Sequence, residues 1–124
     1  MGAIQARALG VIFSLLIIFL SGFWLSYAGK PFGGAAGFIH KFISLAAVIL
    51  LINLAVHAHH AARLSGVERT VCVLAVLLFV AAIASGGVVM AGASMRSAIV
   101  AHRVVPYLVF LATVTAIWLL RRGR

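Results

Sequence analysis

Ser21-Gly22, Ala28-Gly29 and His40-Lys41 recur, in the same order, as Ser85-Gly86, Ala91-Gly92 and His102-Arg103. The copies are offset by 64, 63 and 62 residues, so two one-residue gaps bring all three pairs into line. A repeat of this kind constrains the whole architecture, because each copy must build the same supersecondary unit. Each copy runs through a long apolar stretch, breaks at glycine, and places a histidine soon after the next apolar stretch begins. The repeat therefore predicts two tandem helical hairpins, the first over about 8–62 and the second over about 70–120.

Composition supplies the solvent for these hairpins. Of 124 residues, 65% are hydrophobic and 9% charged, and the mean hydropathy is +1.26. A chain this short leaves much of its surface exposed, so so much apolar surface cannot all be hidden from water. The class is integral membrane, a single transmembrane domain over 1–124. The formal charge of +9 does not signal nucleic acid. Its bases stand singly or in short clusters at the ends of apolar runs, the membrane-protein distribution, and form no basic-aromatic surface.

Four apolar runs follow in order. Residues 8–29 carry no charge and exceed the roughly 20 residues that a spanning helix needs. Residues 1–7 and this run also have the outline of a signal peptide, with Ser26-Tyr27-Ala28 as its cleavage site. The unusual length of the run, and its counterpart in the second copy, favour a retained span. Gly29-Lys30-Pro31-Phe32-Gly33-Gly34 is a dense turn signal. A second helix is expected over 37–62, a loop over 63–69, a third helix over 70–92, a loop around Arg96, and a fourth helix over 98–120. Short connections make this an all-α, up-down-up-down four-helix bundle.

Arg7, Arg63, Arg69, Arg121, Arg122 and Arg124 fall at one end, against Lys30, Lys41, Arg96 and Arg103 at the other. That bias places both termini in the cytoplasm of what reads as a bacterial inner membrane. Trp24, Tyr27 and Trp118 fit interfacial anchoring.

An ionisable side chain inside a span is a functional candidate by default. His40 and His102 lie at similar depth, about one turn into helices 2 and 4. Two hairpins of the same topology are related by an axis along the membrane normal. Helices 2 and 4 then form a diagonal, and the imidazoles face each other across the core, where bundles build cofactor sites. Two imidazoles are too few for a closed zinc site, but they complete the axial coordination of a porphyrin iron. With one cysteine, Cys72, and no CxxCH motif, such a heme would be held by coordination and packing alone. The lone acid, Glu68, leaves no paired carboxylates for catalysis.

Other residues have two readings. Gly22 and Gly86, with Gly87, either make room for the edge of a macrocycle or let helices approach closely. Lys41 and Arg103 either pair with heme propionates or reach lipid headgroups. His57, His59 and His60 read as interfacial: His57 lies about 100° around the helix from His40, and helix 4 offers no partner. Met90 and Met95 lack counterparts in the repeat and read as packing or loop residues. Asn53 is expected to hydrogen-bond to a neighbouring helix, and Cys72 to pack.

Helix 3 through helix 4, with Ser85-Gly86-Gly87-Val88-Val89-Met90 leading to Ala101-His102-Arg103, resembles one four-helix half of the heme A synthases. Helix 1 through His40-Lys41 is compatible with the same unit, and the outline is also similar to small four-helix membrane b-type cytochromes. The resemblance implies a bundle in which a histidine pair ligates heme. The chain is half as long as the full synthase pattern. It also lacks the acid near the first histidine and the extracellular cysteine pair of many members. The leading expectation is therefore a one-electron carrier with one non-covalent heme b on His40 and His102 near the outer face. Its partners would be a quinol, a periplasmic carrier, the other subunits of a respiratory or photosynthetic complex, or further copies of itself. The alternatives are a half-size heme-modifying enzyme, and an accessory subunit whose histidines only join helices.

Overall fold

In a hydrocarbon solvent every backbone polar group must be satisfied within the chain, so long apolar runs become helices. The computed structural model describes residues 2–29, 34–90 and 96–122 and holds four of them: α1 (Ala3–Ala28), α2 (Gly34–Ala61), α3 (Gly66–Met90) and α4 (Arg96–Arg122). At 1.5 Å per residue each is about 37–42 Å long, enough to cross a hydrocarbon layer of about 30 Å with a turn to spare. All four are long and apolar enough to be membrane spans.

The ends are set by identifiable chemistry. Gly29 closes α1 with φ 75°, its N–H bonding to the Leu25 carbonyl at 3.1 Å, and Gly34 opens α2 with φ 73°. Both conformations are left-handed and suit glycine. The expected loop over 63–69 is shorter than that. Ser65 and Glu68 form a reciprocal capping box: Ser65 N–H donates to Glu68 Oε2 at 2.8 Å, and Glu68 N–H donates to Ser65 Oγ at 3.2 Å. This pair satisfies two of the free N–H groups at a helix start, so α3 begins at Gly66 and the only acid of the chain is a cap. Arg96, expected in a loop, is the first residue of α4.

α1 packs chiefly against α2, and α3 against α4; the contacts between hairpins, α2 on α3 and α1 on α4, are thinner. α2 and α4 also touch across the diagonal, whereas α1 and α3 do not among the described residues. The contiguous buried cluster lies in the half nearer the termini, with Ala8, Val11 and Leu15 of α1, Ala47, Leu51, Leu54 and Ala58 of α2, Cys72, Ala75 and Phe79 of α3, and Val109, Ala116, Ile117 and Leu120 of α4, while Leu25 and Gly37 are buried outside it. Small residues in each helix let the backbones approach there. The outward faces carry large apolar side chains such as Phe13, Leu20, Phe42, Leu77 and Leu111, all exposed within the chain and matched to lipid. The other half of the bundle does not close.

Candidate functional site: a histidine pair over a cavity

His40 and His102 are each the seventh residue of their helices, α2 and α4, so the repeat places them at equal depth. Their ring centroids lie 6.4 Å apart, with the planes at 89°. Both line a cavity of about 660 Å³ in the open half of the bundle, within the size range of small-molecule and cofactor sites. Two imidazoles sharing one metal at about 2.0–2.1 Å from each nitrogen have centroids about 6 Å apart. The observed centroid separation is close to that value.

Which nitrogen is free follows from counting protons. Ser21 Oγ lies 3.0 Å from the Ile18 carbonyl and 2.8 Å from His40 Nδ1. A hydroxyl has one proton and a carbonyl can only accept. Ser21 gives its proton to Ile18, so the bond to His40 is made by Nδ1–H donating to Ser21. The second copy repeats this. Ser85 Oγ donates to the Ala82 carbonyl at 3.0 Å, while His102 Nδ1 lies 3.1 Å from that same carbonyl and 3.2 Å from Ser85 Oγ. Nδ1 of His102 must also be the protonated nitrogen. When such a ring carries this one proton, its lone pair is on Nε2, to which no described residue hydrogen-bonds. A Nδ1–H anchored to an oxygen, with a bare Nε2, is the form in which histidine ligates a metal.

The glycines are placed against these rings. A Cβ on Gly22 would sit 3.3 Å from His40 Cε1, and one on Gly86 only 2.7 Å from His102 Cε1. Gly22 and Gly86 both line the cavity, and the space that each leaves is filled first by imidazole. Gly87 meets nothing within 4 Å. The position four residues after each histidine also faces the cavity, and it alters the helix at the histidine in both copies. Ser44 Oγ donates to the His40 carbonyl at 2.7 Å, whereas Pro106 removes the main-chain donor that the His102 carbonyl would otherwise receive.

Lys41 and Arg103 line the same cavity and are otherwise exposed, so two cations border a largely apolar space. Phe19 meets Tyr107 at 5.9 Å and Phe110 edge-on at 6.0 Å, an aromatic stitch across the thin α1–α4 seam.

The remaining candidates are elsewhere. His59 Nδ1 accepts a long 3.4 Å bond from Leu64 N–H, and its ring lies 6.3 Å from that of His60. His57 borders a small recess with Gln5 and Arg121 at the termini end. Among the described residues no three His, Cys, Asp or Glu side chains cluster closely enough to hold a metal ion. Met95 and the Met90 side chain lie outside the described residues. Cys72 is buried in the core. Asn53 does not reach another helix of the chain: it is exposed on α2 and makes no hydrogen bond among the described residues.

Ser21 and Ser85 are the functional candidates that the sequence reading did not single out for a role. The signal was present, since each stands directly before the repeated glycine and three residues after the carbonyl it bonds. No family model, curated protein or solved structure matches the chain.

Proposed function

We propose that this chain is a small membrane cytochrome, holding one non-covalent heme b between His40 and His102 for one-electron transfer. The observation that carries the reading is the symmetric pair of imidazoles, each locked by its Nδ1–H to α1 or α3 and each with Nε2 free, over a cavity of cofactor size. Heme held by His40 and His102 would supply a one-electron couple. The protein's own part is to fix ring tautomer and orientation through Ser21, Ser85 and the Ala82 carbonyl. Lys41 and Arg103 place positive charge at the rim, suited to the two carboxylates of the porphyrin. The apolar walls from Leu15, Phe79 and Val109 exclude water. The resemblance to the four-helix heme proteins points the same way.

Purified protein from heme-replete cells should be red, with a reduced-minus-oxidised spectrum of sharp low-spin b-type bands. A colourless preparation that also fails to take up added hemin would overturn the reading. The hydrogen bonds at Nδ1 give a finer expectation. An oxygen accepting from Nδ1–H makes the ligand more basic and favours the oxidised metal. Ser21→Ala should raise the midpoint potential in a spectroelectrochemical titration, and Ser85→Ala should change it less, because His102 Nδ1–H keeps the Ala82 carbonyl; a downward shift with Ser21→Ala would contradict the assigned tautomer.

A second reading has its own observation. The bonds from His40 to Ser21 and from His102 to Ala82 and Ser85 each join the two helices of one hairpin. In an accessory subunit without a cofactor the histidines would act as such staples, each bond contributing about 1 kcal/mol. The same spectrum separates the two readings.

A further inference from the structure

Every side-chain hydroxyl on the accessible faces of the spans for which a bond is found turns back onto its own helix. Thr115 donates to the Leu111 carbonyl at 2.7 Å, Thr70 to Gly66 at 2.8 Å and Ser44 to His40 at 2.7 Å. Asn53 is different. Its carboxamide, with two donor hydrogens and one acceptor oxygen, is exposed on α2 without a hydrogen bond among the described residues. Ile49 (57% exposed) and Val56 (51%) flank it on the same face. Lys41 and Arg63, which bracket α2 at the membrane surfaces, lie 12 and 10 residues away, or about 18 and 15 Å along the helix axis. An amide left without a hydrogen bond in hydrocarbon costs several kcal/mol.

We infer that Asn53 is the centre of an interface between two copies of this chain, packed α2 against α2. A second copy inserted in the same orientation carries its own Asn53 at the same depth. A two-fold axis along the membrane normal then brings the two amides together. A carboxamide is self-complementary, so each can donate to the oxygen of the other and the pair needs no third group. Ile49 and Val56 supply the packing one turn above and below. The interface lies on the outside of α2, and Asn53 does not line the histidine cavity, so this inference stands apart from the heme reading.

The test uses the full chain in lipid bilayers, with energy transfer between labelled copies read against dilution in lipid. The wild type should self-associate as a dimer. Asn53→Leu should weaken association about tenfold, a size set by interhelical hydrogen bonds in membranes, and Asn53→Gln should retain most of it. Ile49→Cys in a Cys72→Ala background should form a disulfide-linked dimer on oxidation, while Leu77→Cys on α3 should not. Equal association of wild type and Asn53→Leu, or a monomeric wild type, would overturn the inference. So would stoichiometric capture of Asn53 by a chain of different sequence. Circular dichroism and the absorption spectrum of Asn53→Leu should match the wild type, which separates a lost interface from a lost fold or cofactor.

Discussion

His102→Ala will leave a four-helix membrane protein without low-spin b-type bands, and His40→Ala will do the same. If His40 and His102 hold the heme of the proposed function, each would supply one ligand and neither could compensate for the other. Loss of an outer-shell partner alone commonly costs about 10–100-fold in metal affinity; loss of the ligand itself should exceed that. The bundle should survive, because the buried core lies in the opposite half and the substitution removes only one or two hydrogen bonds within a hairpin. Far-ultraviolet circular dichroism checks that point. Free imidazole, small enough to enter the vacated space, should restore part of the spectrum. His60→Ala, at the far end of α2, should leave it unchanged. Retention of the bands in either cavity variant would exclude the histidine pair as the ligands.

Gly86→Ala should be the most damaging of a graded series of glycine substitutions. The new methyl would lie 2.7 Å from His102 Cε1, 3.2 Å from Nδ1 and 3.3 Å from Nε2. The ring cannot yield without giving up its bonds to Ala82 and Ser85, so the clash should cost about 1–3 kcal/mol, as overpacking does elsewhere. That outweighs the gain of about 0.8–1 kcal/mol from replacing glycine in a helix. At Gly22 the nearest atom is 3.3 Å away, and Nδ1 is at 3.9 Å; a shift of a few tenths of an ångström suffices, and Gly22→Ala should be close to neutral. Gly87→Ala meets nothing and should be neutral or stabilising. Thermal unfolding of the three variants in one detergent checks the order. A flat series would mean that the rings do not sit where the glycines imply.

The duplicated Ser-Gly and His motifs made the number of helices, their pairing and the equal depth of His40 and His102 legible, because a repeat transmits geometry as well as composition. Helix ends were legible only where punctuation was strong. Gly29 and Gly34 announce themselves, but Ser65 and Glu68 look like loop residues until their reciprocal bonding is counted. Hydropathy could not separate the closed half of the bundle from the open one, since spans are apolar on every face and lipid replaces water as the competitor. The neighbour of each glycine was hidden for a related reason: a missing side chain marks an approach but not what approaches. Asn53 shows the limit from the other side. The sequence signals a need for a hydrogen bond, and the fold leaves the amide exposed without one among the described residues.

Each hairpin packs more extensively within itself than against the other, and the short segment after Ala61 is their covalent link. The cavity and its imidazoles arise where the two units meet, with equivalent residues contributed by each. The two units differ four residues after their histidines, where one has Ser44 and the other Pro106.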